Sequence, residues 1–255
     1  TTFGVLIISL KSIILMPIII KSMGVFIYGG YVLFITTLTI IFSISTLGVG
    51  LSAKRYLPSA STTVDRQRLF FPQFFFGLMA ILVVSTLLLV FNERISLHLF
   101  NNELEYSGYI FPCYLFAYFF YNQGVDYFRY TSRIKLITTA SSILPYLHIG
   151  IVLFFLYLMG TININQLVLA EVVSALFIGI MCFIKIFKEI KLRFIFYKSD
   201  KLLKEMKLGF PLMLNIITDA ILAASDRYII AIFLSLSAVG YYNPAYLLGS
   251  LIMFI

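Results

Sequence analysis

The sequence predicts an all-α, polytopic membrane protein, a bundle of helices. Three observations carry this. Of 255 residues, 61% are apolar and only 12% are charged, against about 45–50% and about 25% in an average soluble domain. The apolar residues gather into runs of roughly 20, the length a helix needs to cross a bilayer. The basic residues fall in alternate connections between the runs, as the positive-inside rule requires. A soluble globular domain, a disordered chain and a nucleic-acid-binding domain are excluded, and the formal charge of +8 reads as topology. Lipid-spanning strands are excluded too, since the runs are too long and lack period two.

Eight runs follow one another, at residues 3–22, 27–51, 69–91, 107–125, 137–159, 164–184, 208–234 and 239–255. The third and fifth contain no charge. The fourth is the weakest, because Asn122 and Asp126 crowd its end. Three connections hold 15 of the 19 basic residues: Lys54, Arg55, Arg66 and Arg68 after the second run; Arg129, Arg133 and Lys135 after the fourth; and eight between Lys185 and Lys207 after the sixth. The alternate connections hold Lys21, and Arg94 beside Glu93, Glu103 and Glu105, or no charge at all. This places the N-terminus and the basic loops in the cytoplasm. The sequence starts at Thr1 and stops at Ile255 inside apolar runs, with no signal-peptide cleavage site, and is expected to be part of a longer chain. Cys113 and Cys182 lie within apolar runs and indicate neither a disulfide framework nor a metal site.

Two segments share a pattern, Val25-Phe-Ile-Tyr28-Gly29-Gly30-Tyr31 and Leu236-Ser-Ala-Val239-Gly240-Tyr241-Tyr242. Aligning Gly29 with Gly240 gives an offset of 211 residues. Six runs fill that interval. An even number preserves topology, so the expected repeat is parallel, as in the halves of many transporters. The expected organisation is a first six-helix lobe over 1–184, a basic linker over 185–207, and the start of a second lobe over 208–255.

Three stretches resemble a known family. Ser45-Thr-Leu-Gly48-Val-Gly50-Leu-Ser-Ala-Lys-Arg55-Tyr56-Leu-Pro58 is similar to the end of the second helix of bacterial polysaccharide flippases. Lys201-Leu-Leu-Lys-Glu-Met-Lys-Leu-Gly209-Phe-Pro211-Leu and Ser225-Asp226-Arg227-Tyr228-Ile-Ile, with Leu236 to Tyr242, resemble the start, body and exit of the seventh. The family is the polysaccharide-transporter branch of the multidrug/oligosaccharidyl-lipid/polysaccharide exporter superfamily. The resemblance implies a transporter of twelve to fourteen helices in a bacterial or archaeal plasma membrane. It implies flipping of a polyprenyl-diphosphate-linked oligosaccharide, such as an O-antigen unit, from the cytoplasmic to the outer leaflet. Polysaccharide polymerases and glycosyltransferases would be partners, and no bond would be made or broken. The sequence departs from the family in one place: the basic residue after the first helix is Lys21, and Val25 and Phe26 replace an acidic pair.

Ionisable groups at membrane depth are costly and therefore mark function. Lys11 lies midway along the first run. Lys21, near its outer end, either serves the substrate or snorkels to the headgroups. In the seventh run Asn215, Asp219 and Asp226 share one helical stripe, and Arg227 adjoins Asp226 as a substrate contact or a structural ion pair. Lys11 and Arg227 would offset a diphosphate. Asp219 and Glu171 are candidates for coupling transport to H⁺ or Na⁺. Tyr114, Tyr118 and Tyr121 form a stripe suited to sugar rings or to packing, and Thr36, Thr39, Ser43, Thr46 and Gly50 form a small polar face. Pro17 and Pro145 interrupt the first and fifth runs, where each removes a backbone hydrogen bond.

Other patterns are rejected. Gly48, Gly50 and Ala53 fit G-x-G-x-x-A but end a membrane helix instead of linking strand to helix. His98 and His148 lack the Cys, His or carboxylate neighbours of a zinc site, and no other cofactor is expected. A multidrug or cation antiporter of the same superfamily is the near alternative. A membrane enzyme acting on lipid-linked sugars would carry a large outside loop, and a purely structural membrane subunit is an equally remote alternative.

Overall fold

The computed structural model describes residues 2–45, 48, 60, 62–100, 106–196 and 199–252. Residues 46–47 and 49–58 of the second-helix motif, with Glu103, Glu105 and Lys198, lie outside them. So do the last residues of the eighth run, 253–255. Among the described residues there are eight helices: α1 (Thr2–Ser45), α2 (Thr63–Val90), α3 (Asn92–Phe100), α4 (Ile110–Tyr130), α5 (Ile134–Met159), α6 (Ile164–Glu189), α7 (Ser199–Phe233) and α8 (Leu236–Ile252). The all-helical fold class expected from the apolar runs is therefore the observed one.

The first two runs form α1, which breaks at Gly24 (φ 84°, ψ 166°). That conformation is open to glycine and strained for other residues. The two arms, 2–23 and 25–45, are not collinear. Lys11 on the first arm and Tyr31 on the second both reach Oε1 of Glu171. In one straight helix, 20 residues would hold them about 30 Å apart. The chain therefore doubles back at Gly24, and each arm is long enough to count as its own run.

The remaining helices follow the apolar runs. Among the described residues, five helices are long and apolar enough to cross a membrane, with α1 counted once and entered from Lys11. The others are α2, α5, α6 and the part of α7 from Leu203. The eight expected runs thus exceed this set by three: the second arm of α1 is merged with the first, and α4 and α8 fall outside it. The 21-residue α4 is diluted by Asn122, Gln123, Asp126 and Arg129, yet many of its side chains are buried. The 17-residue α8 is short. α3 is a short addition that no apolar run announced, and it lies between α2 and α4.

Local signals fix the ends. Thr62 caps α2 by accepting from the Asp65 N–H. Asn163 and Gln166 form a capping box that starts α6, satisfying two backbone donors that a helix start leaves open. Gly160 ends α5 in the left-handed conformation.

The core is aromatic. Phe70, Phe74, Phe119, Phe120, Phe183 and Tyr127 interlock between α2, α4 and α6, with ring centroids 5.2–6.3 Å apart. Phe34, Phe100, Tyr106 and Phe111 form a second cluster joining α1, α3 and α4. Such pairs contribute about 0.5–1.5 kcal/mol each beyond area burial. α4 and α6 pack along their length, while the second arm of α1 packs along α8.

That last contact joins the two repeated segments. A Cβ on Gly29 would overlap the carbonyl oxygen of Leu236, and one on Gly240 would overlap that of Val25. Val25 and Leu236 are equivalent at the same offset of 211 that relates Gly29 to Gly240. The contact is therefore reciprocal, as across a two-fold axis. Glycine at both positions lets the backbones touch.

Candidate functional site

Against this contact lies a polar cavity of about 210 Å³. Its wall comes from five directions: Lys11 and Ser12 from the first arm of α1, Tyr28, Tyr31 and Thr36 from the second, Glu171 from α6, Arg227 from α7 and Asn243 from α8. Three charged side chains, two cationic and one anionic, thus face one space within the bundle.

On one side is a buried ion pair. Lys11 Nζ donates to Glu171 Oε1 at 2.5 Å, with the two side chains 16% and 4% exposed. Tyr31 donates to the same oxygen at 3.1 Å, and Tyr118 donates to Oε2 at 3.3 Å. His148 Nδ1 stands 3.4 Å from Oε1. Its ring is buried. Four elements thus converge on one carboxylate. Burial disfavours its charge, and the ammonium and two hydroxyl donors offset that cost.

On the other side is a chain of hydrogen bonds linking α7, α8 and α1. Arg227 Nε donates to Asn243 Oδ1 at 3.1 Å, and Asn243 Nδ2 donates to the Tyr28 hydroxyl at 2.8 Å. Arg227 also donates to the Ala223 carbonyl at 2.6 Å, and its guanidinium stacks 4.3 Å from the Tyr246 ring centroid. The neighbouring Asp226 is a loose partner, 3.7 Å from Nη1. The Tyr242 hydroxyl donates to its other oxygen. Further along the second arm, Thr37 Oγ1 and Tyr228 OH are 2.7 Å apart.

The site residues expected from sequence divide into three groups. Lys11, Glu171 and Arg227 reach the cavity. Tyr114 and Tyr118 stack at 4.2 Å and support Glu171 through Tyr118, while Asp226 adjoins Arg227. Lys21 and Asp219 are exposed and line no part of this cavity, and Asn215 on the same stripe is exposed too. On the polar face of α1, Thr36 lines the cavity. The Thr36, Thr39 and Ser43 hydroxyls each donate to the carbonyl four residues back. Sequence reasoning missed Tyr28, Tyr31 and Asn243. The first two sit inside the repeated segment, where the recurrence of Tyr31 as Tyr242 was a signal, whereas Tyr28 aligns with Val239. Asn243 gave none.

The arrangement can hold an anion between a lysine and an arginine, offer hydroxyls and an amide to a polyol, and change charge at one carboxylate. Fold comparison places the chain beside known transporters. It is similar to the MATE multidrug transporter DinF-BH, solved as a complex, with a TM-score of 0.72 and 14% identity, over 99% of this chain and 59% of that one. It is also similar to an inward-facing multidrug resistance MATE family transporter of the MOP superfamily, with a TM-score of 0.63 and 14% identity, over 88% of this chain and 55% of that one. The chain therefore spans less than two thirds of either transporter's length. No curated protein matches it. A family model described as polysaccharide biosynthesis protein matches residues 1–255, and with that match across an apolar multi-helix chain, this multi-pass membrane protein belongs to the polysaccharide biosynthesis protein family.

Proposed function

We propose that this chain forms the substrate-facing part of a membrane transporter that flips a polyprenyl-diphosphate-linked oligosaccharide from the cytoplasmic to the outer leaflet. The observation that carries the proposal is the cavity wall, where Lys11 and Arg227 outnumber the single carboxylate of Glu171. A diphosphate entering low-dielectric surroundings needs cations, and hydroxyls and amides suit the sugars that follow it. The polyprenyl tail can remain in lipid. The N-terminus and basic loops would face the cytoplasm, the first six runs would form one lobe, and rocking against a second lobe would alternate access.

Glu171 is the group best placed to couple transport to H⁺ or Na⁺. Protonation would release Lys11 toward the cavity, so ion uptake and substrate charge would be linked. Asp219, exposed on α7, is a second coupling candidate, and Lys21, outside the cavity, is a further candidate to attract the anionic substrate. Glycosyltransferases and a polymerase would supply and consume the glycan.

The test is complementation of a strain lacking its own flippase with the full protein carrying Lys11→Gln and Arg227→Gln together. Loss of surface polysaccharide at unchanged membrane abundance is expected. Unchanged polysaccharide would overturn the cationic cavity. A second reading, export of organic cations, draws on the multidrug neighbours and on Glu171. It expects the same double variant to keep or improve dye efflux.

A further inference from the structure

A second concavity, of about 250 Å³, lies where α4, α5 and α6 meet. Its walls are apolar, from Phe128, Ala140, Ile143, Phe177 and Met181, with Lys185 at the edge. Ile143, Phe177 and Met181 are 44–49% exposed, so the groove opens outward from the described helices, and it shares no lining residue with the polar cavity.

The two lining stripes run the same way. On α6, Phe177, Met181 and Lys185 are spaced four apart, and Lys188 follows at three. On α5, Ile143, Thr139 and Lys135 are spaced four apart. Residues at these spacings share a helix face. α5 begins and α6 ends at one end of the bundle, so both stripes change there from apolar to basic. The acidic side chains of α4 and α6 at that end are already engaged. Asp126 pairs with Arg129 at 2.8 Å, and Glu189 pairs with Arg66 at 2.6 Å and Arg133 at 2.8 Å. Among the described residues, Lys135, Lys185 and Lys188 form no ion pair, and Lys135 and Lys185 are exposed.

We propose that this groove is a binding site for an anionic phospholipid, with an acyl chain along the apolar wall and the phosphate on Lys185, flanked by Lys135 and Lys188. Any lipid could fill the groove, since acyl chains are as apolar as its lining. Selectivity comes from the three lysines, each of which attracts an anionic headgroup by an amount equal to about a five-fold preference. This end carries the basic connections, which the positive-inside rule assigns to the leaflet rich in anionic lipid.

The experiment is native mass spectrometry of the full protein, released from mixed micelles of phosphatidylglycerol, phosphatidylcholine and undecaprenyl phosphate. Wild-type protein is expected to retain phosphatidylglycerol preferentially. Lys135→Ala with Lys185→Ala should lower that preference by more than ten-fold, and Lys135→Arg with Lys185→Arg should keep it. The alanine variant must retain the wild-type unfolding midpoint in detergent; should it not, Ile143→Trp, which fills the groove and keeps the charge, takes its place and should abolish the retention of phosphatidylglycerol. Equal retention of the two phospholipids, an unchanged preference in the variants, or stronger retention of undecaprenyl phosphate would each overturn the proposal.

Discussion

Replacing Lys11 by Met removes the cation that neutralises Glu171 and keeps the length and apolar body of the side chain. Glu171 is 4% exposed, so it cannot recover its solvation by moving to water. Its remaining donors, Tyr31 and Tyr118, are neutral. Breaking a buried pair on one side typically costs about 3–5 kcal/mol. Lys11 is 16% exposed and faces a cavity that can hold water, so a loss of about 3 kcal/mol is the expected value. Glu171→Gln keeps acceptors for both tyrosines and leaves a lysine that can turn into the cavity, and should cost about 1–2 kcal/mol. The double variant is then expected to be close to Glu171→Gln alone, giving a coupling of about 3 kcal/mol. Reversible unfolding in mixed detergent, read by far-UV circular dichroism, measures all four proteins. If the two single losses simply add in the double variant, the pair contributes nothing and the assignment of Lys11 as the counter-ion fails.

Gly29→Val places a side chain where the Leu236 backbone already stands. Overpacking of this kind costs about 1–3 kcal/mol or more, detected as a lower unfolding midpoint than that of the wild-type protein. Arg227→Lys removes the planar fork that both bonds Asn243 and stacks on Tyr246. It should lower stability by about 1–2 kcal/mol despite the retained charge, detected as a lower unfolding midpoint. Asn163→Ala breaks the capping box of α6 and should cost about 1 kcal/mol, with faster amide exchange confined to the first turn of α6.

Much of the fold was legible because lipid imposes a simple rule. A helix that crosses a bilayer must be apolar over about 20 residues, and each apolar run became a helix or a helical arm. The sharp fold-back between the first two runs turned on one residue, Gly24, whose positive φ leaves no mark in hydropathy. α4 was the weakest run for a physical reason. Its polar side chains, such as Asn122, Gln123 and Asp126, sit among aromatic packing positions that hydropathy averages away.

The site was legible in part. Cost at membrane depth singled out Lys11, Glu171 and Arg227 from the sequence alone, since a charge is retained there against a standing penalty. The same argument selected Asp219 and Lys21, which the structure leaves exposed. Helical periodicity gives the angle between residues on one helix. It does not give the rotation of that helix against its neighbours. Lys11 and Glu171 are 160 residues apart, and Tyr28 and Asn243 are 215 apart. Their meeting depends on the fold-back at Gly24 and on the close approach of Gly29 to Gly240. Composition and period determined which segments are helices and which charges are expensive. Packing alone decided which of those charges face one another, because a helix's azimuth is set by the side chains it meets on other helices.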